Sequence, residues 1–141
     1  MNELSLEKKA SRDNLKELFA FVEEALIRLD APEENRGKMM MALDEIVANV
    51  VNYAYPEGQP GTVCLRLCRK DSTITAEVVD QGKAFDPTKH PEPDITLPIE
   101  QRPIGGLGIH LTRKMMNSMK YDRSEGKNRL VITTSWEKPY E

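Results

Sequence analysis

The chain has 141 residues, a length that fits one domain over 1–141 and lets a core form without disulfide or metal staples. It is 39% hydrophobic and 30% charged, the balance of a globular protein. A net charge of −3 and a pI near 5.5 argue against bulk nucleic-acid or membrane-surface binding, both of which need a basic face.

No apolar run is long enough to span a bilayer, and Met1–Ser5 lacks the basic-then-apolar order of a signal peptide. The expected location is the cytoplasm, with Cys64 and Cys68 as buried free thiols in a reducing compartment. Four apart on one strand face, they are too distant for an easy disulfide, and neither has companions at metal-ligand spacing.

Residues 2–9 are expected as a short edge strand. Ser11 or Asp13 can cap a helix over about 12–29, where Leu15, Leu18, Phe19, Val22, Leu26 and Leu29 recur at helical spacing. Asp30-Ala31-Pro32 breaks it, and Pro32 suits the first turn of the next helix. That helix is expected to reach about residue 54, with an apolar stripe running from Met39 to Ala54.

Residues 62–69 and 73–80 alternate as strands, with Lys70-Asp71 at the hairpin turn. Residues 83–104 hold five prolines and no clear period, so they read as a long lid loop. A helix over 107–119 follows Gly105-Gly106. Two strands, about 120–124 and 129–136, close the chain around a turn at Gly126-Lys127-Asn128. The expected fold is α+β: a two-layer sandwich with a mostly antiparallel mixed sheet covered on one face by three helices.

Three groups of residues suggest chemistry. Glu45, Asn49 and Asn52 fall within about 60° of arc on the second helix, opposite the apolar stripe. A carboxylate beside an amide oxygen suits a Mg²⁺–phosphate site and could take a proton from a nucleophile. The same pattern also describes the solvated face of an amphipathic helix.

Asp80 ends a strand on the same face as Ile74, Ala76 and Val78, at the margin of the core. An exocyclic amine of adenine would satisfy such an acid, and Gly82 allows close backbone approach. The alternative is a local Asp-Gln-Gly turn. Gly105, Gly106, Leu107 and Gly108 open a helix whose exposed N–H groups attract phosphate, or else they hinge a lid.

The order of these elements resembles the GHKL ATPase superfamily, the Bergerat ATP-binding fold, and more narrowly its bacterial anti-sigma-factor serine/threonine kinases. The matching strings are Glu45-Ile46-Val47-Ala48-Asn49 with Tyr53-Ala54-Tyr55, then Asp80 through Pro87, then Gly105 through Leu111 with Met115-Met116-Asn117. Asn128-Arg129-Leu130 completes them. Together they span roughly residues 40–135.

The resemblance implies ATP and Mg²⁺ as cofactors, with Asn49 on the metal and Glu45 as catalytic base. Asp80 would bind the adenine amine, with Gly82, Ala84 and Phe85 beside the ring. Gly106 and Gly108 would wrap the phosphates under the lid, Asn52, Gly105 and Leu107 would also bind the nucleotide, and Arg102 could reach the γ-phosphate. Tyr53 stands where many relatives have His, and Asn117 where Asp is usual. The closing strand lacks the Gly-Thr of histidine kinases, which leaves Thr134 as a possible adenine neighbour.

The implied activity is phosphorylation of a STAS-type anti-sigma-factor antagonist, with a sigma factor as a second partner and a homodimer as the assembly. The alternative is a nucleotide-gated module that sequesters a sigma factor or other regulator with little kinase activity. His90 and His110 read as ordinary residues, since a phospho-accepting His would need a separate helical hairpin.

Overall fold

The computed structural model describes residues 2–89 and 106–137. Among these, strand β1 (Glu3–Lys9) leads through a 3₁₀ turn (Arg12–Asn14) into helix α1 (Leu15–Arg28). Helix α2 (Glu33–Asn49) continues as a π-helical turn, Val50–Ala54. Strands β2 (Thr62–Lys70) and β3 (Thr73–Asp80), helix α3 (Gly106–Met115), and strands β4 (Ser118–Ser124) and β5 (Lys127–Ser135) follow.

The sheet order is β1-β2-β3-β5-β4, and all four pairings are antiparallel. The expected two-layer α+β architecture is present, although no parallel pair occurs among the described residues. One sheet face is apolar by alternation. Val63, Leu65 and Leu67 of β2, Ile74, Ala76 and Val78 of β3, and Leu130 and Ile132 of β5 are all buried. Leu18, Val22 and Leu26 of α1 and Met39, Leu43 and Val47 of α2 cover that face, as their 3.6-residue spacing requires.

The opposite face is polar. Arg66 pairs with Glu77 at 2.9 Å, and Arg129 reaches the same carboxylate at 3.5 Å. Cys64 and Cys68 lie on this face, free and half-buried rather than in the core. Partial burial, then Glu7 and Glu77, pushes the Cys64 thiol up from its ordinary pKa.

Several boundaries depart from the sequence reading. Neither expected cap forms at α1: Ser11 makes no side-chain cap bond, and Asn14 instead donates to the Lys9 carbonyl at 2.9 Å. The final hairpin turns at Glu125-Gly126, both with positive φ (52° and 75°), so Asn128 is a strand residue and not a turn residue. That shift sets β5 in register so that Asn128 faces Asp80.

Helices α2 and α3 run antiparallel. At one end, Asn35 of α2 donates to Ser135 O, and Asn117 after α3 accepts from Ser135 N. At the other end, Glu45 of α2 lies against Gly108 in the first turn of α3.

Candidate nucleotide-binding site

The site begins with the change of helical pitch after Asn49. A π turn is wider than an α turn, and such turns recur at functional sites. Here it carries Tyr53 and Ala54 to the same side as Asn49, and turns Asn52 away. Asn52 accepts a hydrogen bond from Arg12 Nε at 3.3 Å and lines a separate surface depression near Pro56 and Gly58. The shared face expected for Glu45, Asn49 and Asn52 is therefore split. Glu45 and Asn49 stay together, with Asn49 Nδ2 donating to Glu45 Oε1 at 3.4 Å.

The loop after β3 docks onto that turn. Lys83 N donates to Ala54 O at 2.9 Å, and the space a Gly82 side chain would need is filled by the same carbonyl. Glycine is thus required at position 82 for close approach rather than for positive φ. Tyr55 braces the junction. Its hydroxyl donates to Thr62 O at 2.6 Å and accepts from Gln81 N at 2.8 Å. Burial is the main cause that pushes the Tyr55 hydroxyl up from its usual pKa.

Between helix, sheet and loop lies a cavity of about 250 Å³. Its walls include Ile46, Val50, Val78, Ile109 and Leu130, which are apolar. Asp80, Asn128, Asn49 and Lys83 supply polar groups, and Phe85 and Tyr53 stand half-exposed at its edge. Apolar walls around a few aimed polar groups are typical of small-ligand sites.

Asp80 is 5% exposed. Its Oδ1 accepts from Gly82 N at 2.8 Å and from Asn128 Nδ2 at 2.9 Å. Both bonds fall on one oxygen, and Oδ2 accepts none among the described residues. Asn128 also donates to Lys83 O at 2.8 Å and accepts from the Tyr121 hydroxyl. Arg123 of β4 holds Gly82 O at 2.7 Å.

Gly108 sits directly against the Glu45 carboxylate, so any side chain there would displace it. The carboxylate thus rests at the positive start of α3, an electrostatically favourable place. Asp44, the neighbour of Glu45, has its carboxyl pushed up from 3.8 by burial.

Other expected residues lie elsewhere. Thr134 is buried 1% exposed and accepts from Asn35 Nδ2 at 2.9 Å, six residues and roughly 20 Å along β5 from Asn128. Ala84 is exposed and does not line the cavity. Gly106 begins α3, and only the backbone of Leu107 is described. Arg102, Gly105, His90 and residues 90–104 of the expected 83–104 lid lie outside the described residues, while its start forms the cavity edge and a 3₁₀ turn at Pro87–Lys89.

Asn128, Tyr121 and Lys83 were not expected to line the site. Read as part of the Gly126-Lys127-Asn128 turn, where asparagine is common, Asn128 gave no signal of its place in the site; the start of β5 at Lys127 is what puts it there.

A family profile described as the histidine kinase-like ATPase domain matches residues 9–134. The chain belongs to that family, in the branch that holds the anti-sigma-factor kinases. It is 29% identical over 99 residues to the serine/threonine-protein kinase BtrW of Bordetella bronchiseptica, covering 70% of each chain. It is 30% identical over 110 residues to an anti-sigma F factor of Caldanaerobacter subterraneus, covering 77% of this chain and 76% of that one.

The solved structure of the RsbU and RsbW domains of Rv1364c from Mycobacterium tuberculosis has the same fold, with a TM-score of 0.70 at 16% identity. That match covers 99% of this chain and spans about a third (34%) of that one. Membership of an ATPase domain family implies ATP binding. No helix among the described residues is long and apolar enough to cross a membrane.

Proposed function

We propose that this chain is an ATP-dependent serine/threonine protein kinase that phosphorylates a STAS-type anti-sigma-factor antagonist and so regulates a sigma factor. The observation that carries this reading is the placement of Glu45 beside Asn49 and against Gly108, on the same helix that walls the cavity ending at Asp80. Adenine would bind at Asp80, and the triphosphate would extend past Asn49 toward the start of α3.

The residues fit a magnesium nucleotide. Mg²⁺ needs one or two protein oxygens beside phosphate and water, and the Asn49 amide oxygen, which takes no part in the bond from Nδ2 to Glu45, would supply one. When bound, the ion would neutralise charge building on the phosphates. The Glu45 carboxylate would accept the proton of the partner's hydroxyl as that oxygen attacks the γ-phosphorus. The bond to the β-phosphate oxygen breaks, and ADP leaves with its electrons. A phosphoryl group adds nearly two negative charges to the partner, enough to release it from a complementary surface.

Incubation with labelled ATP, Mg²⁺ and a STAS protein tests this. Label on a Ser or Thr, lost in Glu45→Gln while ATP still binds, is the expected result. ATP binding without transfer by the native chain would overturn it.

A second reading is a nucleotide-gated module that sequesters a regulator. The name of one relative, an anti-sigma F factor, favours it. In either reading the protein acts in the cytoplasm as a homodimer, which sedimentation would check.

A further inference from the structure

We propose that Tyr121 and Asn128 are positioning residues that aim Asp80 at an exocyclic amine and thereby set which purine the cavity accepts. This rests on the ATP reading above. It goes beyond that reading by assigning base selectivity to two residues that need not touch the base amine.

The relay is fixed by strand register. Asp80 of β3 pairs with Asn128 of β5, and Tyr121 of β4 pairs with Leu130, two residues further along β5. Diagonal neighbours on one face are within reach of an aromatic side chain, and the Tyr121 hydroxyl donates to Asn128 Oδ1. The amide's sense is fixed by its other two neighbours, Asp80 Oδ1 and Lys83 O, which only accept; the Tyr121 hydroxyl completes the arrangement by donating to Oδ1. Nδ2 is therefore turned toward Asp80 Oδ1 at 2.9 Å and Lys83 O at 2.8 Å, which uses both of its hydrogens.

The consequence falls on Asp80. With Gly82 N as well, Oδ1 accepts two donors, and Oδ2 is left to the cavity. The acid is 5% exposed and Asn128 6%, so water competes weakly. A ring with an amine at the 6-position gives Oδ2 a donor. A ring with a carbonyl there opposes two acceptors, and a ring with hydrogen leaves the oxygen unpaired. If Tyr121 lost its hydroxyl, Asn128 Oδ1 would lose its donor, and the amide, still facing Asp80 and Lys83 O, would be held less firmly.

A purely structural role for the pair would support the sheet end without affecting selectivity. Calorimetry with Mg²⁺ and three nucleotides separates the two: ATP, purine riboside triphosphate (hydrogen in place of the amine) and inosine triphosphate. The native chain is expected to prefer ATP over purine riboside triphosphate by about tenfold. Tyr121→Phe keeps the ring but removes the donor to Asn128 Oδ1, and should narrow that ratio modestly, through ATP rather than the other two.

Asn128→Leu, a second variant, removes the Nδ2 donor from Asp80 Oδ1 altogether and should narrow the preference for ATP further, again through ATP. Equal losses for all three nucleotides, or unchanged ratios in both variants, would overturn the relay. Failure of the native chain to bind any of them would overturn the ATP reading and the relay with it. ATP bound by the native chain without discrimination would overturn the relay alone.

Discussion

Asn35 and Asn128 are buried to nearly the same degree, 7% and 6% exposed, at opposite ends of β5. Asn35 donates to Thr134 Oγ1 and Ser135 O, so it ties the start of α2 to the sheet. Asn128 donates to an acid and a loop carbonyl that line a cavity. At the first end the asparagine's donors are spent on pinning a helix to a strand. At the second, a carboxylate oxygen is left over. Burial of a polar residue therefore does not by itself mark a site. What marks one is an acceptor left open toward a cavity after its neighbours have been counted.

Breaking the site end should alter chemistry, and breaking the far end should alter stability. The largest effect is expected from Glu45→Gln, which should lower phosphoryl transfer to a STAS protein by about 10²–10⁴-fold. ATP affinity measured by calorimetry should change little, because the side chain keeps its shape against Gly108.

Next is Asp80→Asn. Replacing the charged acceptor should weaken ATP binding by about 10–100-fold. Its melting temperature should hold, since no ion pair involves Asp80 among the described residues.

At the other end of β5, Asn35→Ala leaves the buried Thr134 hydroxyl and the part-buried Ser135 carbonyl short of a donor and should lower unfolding free energy by about 1–3 kcal/mol. Urea unfolding would read that loss, and ATP affinity of the folded protein should be unaffected. An ATP defect in this variant would erase the contrast between the two ends.

The smallest effect concerns Asp44, half-buried beside Glu45 with its folded pKa raised by burial. An acid whose pKa rises on folding leaves the protein most stable below the unfolded value near 3.8, and less stable as pH climbs through the folded one. Asp44→Asn should therefore raise the melting temperature slightly at neutral pH. The gain should vanish below pH 3.8.

Much of this molecule was legible in its residues. Strict alternation in 73–80 placed Asp80 on the core face, and it is buried there. Glu45 and Asn49, one α-helical turn apart, meet as spacing demands. Asn52 did not follow, because a π turn begins at Val50, and no local pattern in Val50–Ala54 announces the change of pitch. Thr134, suggested because the closing strand lacks the Gly-Thr of histidine kinases, lies at the far end of β5, and β5 itself begins two residues earlier than expected. Glu125 at φ 52° takes a turn position that residue type does not advertise.

What the sequence by itself determined was periodicity: which faces are apolar, where helices and strands lie, and which acid ends a core-facing strand. Those properties depend on neighbours a few residues apart, so chain order suffices. Register and pitch were decided only by tertiary structure. A one-residue change in a turn or a wider helical turn alters which distant side chains meet, and that choice is made by packing across the whole sheet. The meeting of Tyr121, Asn128 and Asp80, from three different strands, is of that second kind.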